Sequence, residues 1–292
     1  MNDRSSTLRT YAELLRVSNL PTVLPNVLTG CALGAGADEM PWQVVALCAG
    51  GVALLYLGGM ALNDAADAEI DAVERPGRPI PSGRVCPAAA YRVAAFALAA
   101  GWAMLAATGT GAAITGGALV VVIVGYDLLH QRQAWTVVLM GLARGLVYAV
   151  CAAAIALPAP VEMVVWFGSA VTLYTLAFTF VARAENEAQL DARRWIGPAL
   201  PMIALAPGVW IVAATTAASG VAAAVLVAWQ ARAVRAVFAT PPKTKKAVLS
   251  WISGFCLLDV FFLNVLGRPG LSVVALGCFA ATVLLHRRVT GT

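Results

Sequence analysis

Asn63-Asp64-Ala65-Ala66-Asp67-Ala68-Glu69-Ile70-Asp71 closes a long apolar stretch and runs into Arg75-Pro76-Gly77-Arg78-Pro79-Ile80-Pro81-Ser82-Gly83. A charge cluster at the end of a membrane span is costly unless it binds something. Asp64, Asp67 and Asp71 are spaced i, i+3, i+7, so on a helix their carboxylates share one face and converge. A divalent cation removes the repulsion between them, and Mg2+ favours a few carboxylates plus the oxygens of a phosphorylated substrate. Arg75 and Arg78, just downstream, offer planar forks for phosphate oxygens. The segment reads as a magnesium and diphosphate site at a membrane surface, with Asn63, Asp64, Asp67 and Asp71 as candidate metal ligands.

Composition supplies the membrane. Of 292 residues, 60% are hydrophobic and 12% charged, against roughly 25% charged in a soluble domain, and the mean hydropathy is +0.80. The fold class is therefore all-α, a polytopic membrane protein. Apolar stretches near 20–37, 41–62, 88–108, 110–128, 134–156, 162–182, 198–218, 220–238 and 270–286 are each about long enough to cross a bilayer of roughly 30 Å. That predicts about nine transmembrane helices. A tenth stretch, 247–266, either crosses as well or lies partly along the surface. The first sixteen residues are polar and no small-residue cleavage site follows a short apolar core, so the first span is expected to stay. Six cysteines, Cys31, Cys48, Cys86, Cys151, Cys256 and Cys278, form no Cys-x-x-Cys pair and read as small packing residues rather than disulfides or metal ligands.

The net charge of +5 does not imply nucleic acid, because the basic residues follow topology. Arg16, Arg75, Arg78, Arg132, Arg183, Arg193, Arg194 and Lys243 all fall at one set of span ends, which the positive-inside rule makes cytoplasmic. Arg287 and Arg288 join that side only if 247–266 crosses, which favours ten spans. Nothing divides the chain, so residues 1–292 read as one helical domain with two cytoplasmic motif loops, about 63–87 and 183–197. Each follows an even-numbered span and opens with acidic residues. In the second, Glu185, Glu187 and Asp191 offer a further candidate metal set, beside Arg183. Four intervening spans suggest two related halves facing one cavity.

Polar residues at membrane depth face a cavity or another polar group. Arg144 sits near the middle of the fifth span, either pairing with Asp127 or forming a cation at the cavity base that holds phosphate or an anionic acceptor. Tyr126, Asp127 and His130 close the fourth span. Asn26 lies in a first span made irregular by Pro21 and Pro25, and Asp259 has no evident partner. Trp42 and Trp135 fall at predicted interfaces and read as anchors.

The first acidic stretch with its arginine-proline continuation closely resembles the aspartate-rich signature of the UbiA superfamily of intramembrane prenyltransferases. The likeness extends over nearly the whole chain, through the Arg16 to Asn26 region, Tyr126-Asp127, the Gly141 to Gly145 segment with Arg144, and the acidic loop after span six. It implies nine helices around a central cavity with a cytoplasmic cap, where both acidic motifs bind Mg2+ and an isoprenyl diphosphate. It also implies a cavity open to membrane lipid, where the isoprenoid tail lies. Asp64, Asp67, Arg144, Tyr126 and Asp127 become candidate catalytic residues, and Arg75, Arg78, Arg183, His130 and Asn26 candidate diphosphate ligands. Two features depart from the family pattern: glutamates stand in the second motif, and no lysine follows Tyr126. The glutamate loop is similar to that of less characterised branches, including one resembling EboC-type proteins.

The implied reaction is Mg2+-dependent transfer of a prenyl group from an isoprenyl diphosphate to an aromatic or hydroxyl acceptor, through an allylic carbocation. The alanine-rich composition without a targeting signal suggests a bacterial inner membrane. A non-catalytic isoprenoid-binding protein or transporter is the main rival. A CDP-alcohol phosphotransferase would need an Asp-Gly and Ala-Arg run that this chain lacks, and a soluble-type prenyl chain elongation enzyme would lack the spans.

Overall fold

A computed structural model describes residues 2–131, 133–155, 161–183 and 216–288. Among these residues there are helices and turns and no strand. The chain opens with α1 (Asn2–Leu14), a 3-10 helix (Val17–Thr22) and α2 (Val23–Ala35). It continues with α3 (Trp42–Ala66), α4 (Ala68–Glu74), α5 (Pro87–Ala106) and α6 (Thr110–Leu129). A short 3-10 turn (Ala134–Thr136) leads into α7 (Val137–Ala154) and α8 (Val161–Arg183), and the described part closes with α9 (Ala217–Val237), α10 (Thr244–Val265) and α11 (Pro269–Arg288).

Eight of these helices, α3 and α5 to α11, are long and apolar enough to cross a membrane. The chain is an integral membrane protein. The predicted first span, 20–37, is built differently: Pro21 sits inside the 3-10 helix and Pro25 in the first turn of the 13-residue α2. Proline removes backbone donors, so this segment begins as a tight 3-10 coil. Most of the predicted span 198–218 lies outside the described residues. The tenth apolar stretch is not a surface helix. It forms α10, whose apolar window is 72% buried inside the structure, against 17% for α11, so α10 is packed among other helices.

Two contacts orient the last pair of helices. Arg268, between α10 and α11, donates to the carbonyls of Gly36 (3.0 Å) and Asp38, at the C-terminal end of α2. At the other end of α11, His286 Nε2 lies 2.7 Å from Asn19 Oδ1, in the 3-10 helix that precedes α2. The end of α11 therefore returns to the side where α2 begins. Between α3 and α5 the backbones nearly touch: a Cβ on Gly51 would lie 2.9 Å from the Gly101 carbonyl oxygen, and one on Gly101 2.7 Å from that of Gly51. Membrane helices lack a strong hydrophobic drive to associate and gain from such close backbone contact. Large side chains such as Phe96, Ile114 and Val121 point away from the bundle, as lipid contact allows. Trp42 and Trp135 are also exposed, each at or beside the start of a helix.

Candidate functional site

The first motif does not form one continuous helix. Asn63 and Asp64 end α3, the backbone turns at Asp67 (φ −84°, ψ 0°), and α4 carries Asp71. This break rotates the carboxylates apart, so the expected convergence of all three is only partly realised. Asp64 and Asp71 meet at one guanidinium: Arg78 Nη1 donates to Asp64 Oδ1 at 3.4 Å and to Asp71 Oδ2 at 2.5 Å. Asp67 turns instead towards the end of α6. There its carboxylate lies 2.9 Å from His130 Nε2 and accepts from Gln131 Nε2 at 2.5 Å. Burial works against a charged imidazole, but the hydrogen bond and charge of Asp67 outweigh it and raise the His130 pKa above the ordinary histidine value. Desolvation likewise pushes Asp67 up, yet the bonds from His130 and Gln131 more than offset it and leave this carboxyl below its usual range.

A second arginine, Arg16, completes the cap. Its Nη2 donates to Asp64 Oδ1 (2.9 Å) and, more weakly, to Asn63 Oδ1 (3.4 Å). Arg16 is the only described non-glycine residue with positive φ (45°), and its carbonyl accepts a hydrogen bond from Tyr56 (3.1 Å). Left-handed backbone in a bulky residue costs of order 1–3 kcal/mol and tends to mark functional sites. The sequence offered no signal pairing Arg16 with Asp64, since 48 residues separate them.

Arg78 is held in place by the segment that carries it. Pro76, Pro79 and Pro81 restrict the chain, and Gly83 supplies a positive φ of 74°. Ile80 and Val85 pack with Leu14 of α1, Ala65 of α3 and Ala90 of α5 into a small apolar cluster. Arg84 Nη1 also donates to Glu13 Oε2 at 2.7 Å, tying the segment to α1. The predicted 63–87 loop is thus largely structured, helical to Glu74 and stapled beyond it.

Beneath the cap lies a cavity of about 210 Å³. Arg16, Asn19, Tyr126 and Asp127 line its upper part, and Val52, Leu55, Leu119, Ile123, Val147, Phe178 and Phe255 form apolar walls. Asp127 Oδ1 accepts from Asn63 Nδ2 (3.3 Å), while its Oδ2 is buried with no hydrogen-bond partner. Tyr126 stacks on His130, with ring centroids 5.0 Å apart.

Lower in the cavity Arg144, Thr22 and Asn26 line the wall, and behind them a second, buried polar set is built from three helix faces. Arg144 Nη2 donates to Thr22 Oγ1 (2.8 Å) and to the Thr22 carbonyl (3.0 Å), and its guanidinium lies 4.2 Å above the Phe255 ring. One turn on along α7 and α10, Tyr148 donates to Asp259 Oδ1 at 2.7 Å, and Thr29 donates to the same oxygen at 2.8 Å. Arg144 and Asp127 have no ion pair among the described contacts, so the alternative of a packing pair between them gives way to the Thr22 and Phe255 contacts. Asp259, unassigned from sequence, has its partners 111 and 230 residues away. Both amide atoms of Asn26, Arg144 Nε and Asp259 Oδ2 are buried without partners.

The expected site residues are therefore divided. Asn63, Asp64, Asp67, Asp71, Arg78, His130 and Asp127 gather at the cap. Tyr126 joins them at the cavity mouth. Arg75 is peripheral, half-exposed and 4.0 Å from Asp71. Asn26, expected at the diphosphate, stands beside Arg144 in the lower set. Glu185, Glu187, Asp191, Arg193, Arg194 and the Arg183 side chain lie outside the described residues. The cap's carboxylate and amide oxygens suit a hard divalent cation such as Mg2+, and the orphaned Asp127 Oδ2 adds one more free oxygen beside them.

The sequence profile of the UbiA prenyltransferase family matches residues 23–290. Over 103 residues the chain is 41% identical to digeranylgeranylglyceryl phosphate synthase from Methanopyrus kandleri, a match covering 33% of this chain and 35% of that protein. The aligned part is thus about a third of the length of this relative. Among solved structures, a digeranylgeranylglyceryl phosphate synthase shares the fold with a TM-score of 0.59 at 19% identity, over 94% of this chain and 99% of the other. A UbiA homologue from Archaeoglobus fulgidus bound to DMAPP and Mg2+ does so with a TM-score of 0.53 at 14% identity, over 94% and 98%.

Proposed function

This chain belongs to the UbiA prenyltransferase family, and we propose that it transfers a prenyl group from an isoprenyl diphosphate to a hydroxyl or aromatic acceptor inside the membrane, with Mg2+ as cofactor. The observation that carries this reading is one apolar cavity lined at its cap end by Arg16, Tyr126 and Asp127, with Arg16 bonded to Asp64, which also meets Arg78. The relatives' names and the DMAPP and Mg2+ of the Archaeoglobus protein support the same donor class. The charge bias of the span ends supports a cap on the cytoplasmic side.

Asn63, Asp64, Asp67, Asp71 and Asp127 would be the candidate Mg2+ ligands of the cap, with Asp64 and Asp71 already brought together at Arg78. Bound there, Mg2+ would neutralise the diphosphate and make it a better leaving group. Arg16 and Arg78 already sit against these carboxylates, so their guanidinium groups are within reach of an anion placed on the cap, where they stabilise charge developing on the leaving oxygen. His130 and Gln131 hold Asp67 in position. Below, the apolar walls would exclude the water that quenches an allylic carbocation, and the aromatic side chains of Tyr126, Tyr56, Phe178 and Phe255 line the same cavity, where aromatic rings can stabilise a cation. The acceptor's polar head is assigned to Arg144 and Asn26. Diphosphate release from geranylgeranyl diphosphate, measured with Mg2+ and with EDTA, tests the reading. Mg2+-dependent release in membranes supplying the native acceptor supports it. Binding without release points to an isoprenoid carrier.

A further inference from the structure

Away from the cap, one chemically distinct cluster has no part in this reaction. Cys31 on α2, Cys48 on α3 and Cys151 on α7 bring their sulfurs to one point, all within 4.8 Å of one another. Each is completely buried and each is a free thiol. They come from three helices and are separated by 17 and 103 residues in sequence, so no local motif announces them. Packing at this level is tight: a Cβ on Gly30 would stand 2.7 Å from the Cys151 Cβ. The close approach of α2 to α7 therefore fixes two of the three thiols.

We propose that Cys31, Cys48 and Cys151 form a three-coordinate site for a soft, thiophilic cation, Cu(I) being the ion whose chemistry it fits. A metal–sulfur distance of roughly 2.3 Å puts the sulfurs of a trigonal site about 4 Å apart, which lies within the observed limit. The ligand set selects the ion. Thiol sulfur without a carboxylate or imidazole disfavours the hard cation of the cap and favours Cu(I) or zinc. Structural zinc is almost always four-coordinate, and among the described residues no His, Asp or Glu joins the three sulfurs. Charge points the same way. Cu(I) needs one thiol to lose its proton to leave a neutral buried centre, whereas a divalent ion needs two. The way in is the cavity: Cys48 lies one turn from Val52, and Cys151 one turn from Val147, and both valines line the cavity wall.

The test uses the full chain in detergent under argon with a phosphine reductant, titrated with Cu(I) against bicinchoninate. Wild-type protein is expected to take one Cu(I) per chain. The Cys31→Ala, Cys48→Ala and Cys151→Ala variants are each expected to bind at least tenfold more weakly, while Cys86→Ala, at an exposed cysteine, binds as wild type does. X-ray absorption of the wild-type Cu(I) complex requires no variant to fold, and three sulfur neighbours are expected there. No copper bound by the wild type, equal binding by the triple alanine variant, or a first shell with fewer than three sulfurs would overturn the proposal.

Discussion

The cap and the floor of the cavity are both polar, but they are satisfied differently. At the cap, Asp64, Asp67 and Asp71 all have cationic or amide partners, and Asp127 keeps one buried oxygen without one. At the floor, four polar side-chain atoms of Asn26, Arg144 and Asp259 are buried without partners. An unpaired buried polar group costs about 1–3 kcal/mol, and a membrane offers no water to relieve it. The cap is thus a charged site whose ion pairs are internal, and on the proposed reading a charged ligand would exchange with them. The floor keeps buried donors and acceptors that, on the same reading, a ligand in the cavity would complete.

The largest effect is expected at the cap. Asp64→Ala or Asp67→Ala should lower prenyl transfer at least about 10³-fold, the scale of losing a preorganised electrostatic contact or metal ligand, while the protein still inserts and folds. Wild-type turnover in both would remove the site assignment. Next comes Arg144→Met, expected to reduce transfer about 10–100-fold while leaving donor binding intact, as measured by titration with geranylgeranyl diphosphate. Loss of donor binding instead would merge floor and cap into one site.

Asn26→Leu should split stability from function. Removing an unpaired buried amide is expected to raise the stability of the ligand-free protein by about 1 kcal/mol, read as a higher melting temperature, and to weaken acceptor use. A lower melting temperature would mean that Asn26 serves packing. The smallest effect is expected outside both regions. Arg84→Ala breaks a partly exposed pair with Glu13 worth about 0.2–1 kcal/mol, and it should shift the melting temperature slightly with little change in turnover.

The division between cap and floor also marks what the sequence made legible. Asp64, Asp67, Asp71 and Arg78 lie within 15 residues, so helical spacing and one proline-rich turn suffice to group them. The break at Asp67 was not legible, because nothing local in Ala-Ala-Asp-Ala-Glu demands it. It is tertiary contact with His130 and Gln131, 63 and 64 residues away, that holds Asp67 out of line. Arg144 and Asn26 were visible as polar residues in apolar spans, yet their common floor depends on the register of α2, α7 and α10. The cysteine cluster has the same cause, with residues unremarkable one by one and assembled by helix packing.

Whether cap and floor are separate sites can be read from thermal stability with geranylgeranyl diphosphate and Mg2+, against the same donor with EDTA, in wild type, Asp64→Ala and Asn26→Leu. Selective binding to the folded state raises the melting temperature. If the cap alone holds the donor's diphosphate, a Mg2+-dependent rise is expected in wild type and in Asn26→Leu, and none in Asp64→Ala. A rise that survives Asp64→Ala, or one lost in Asn26→Leu, would refute that separation.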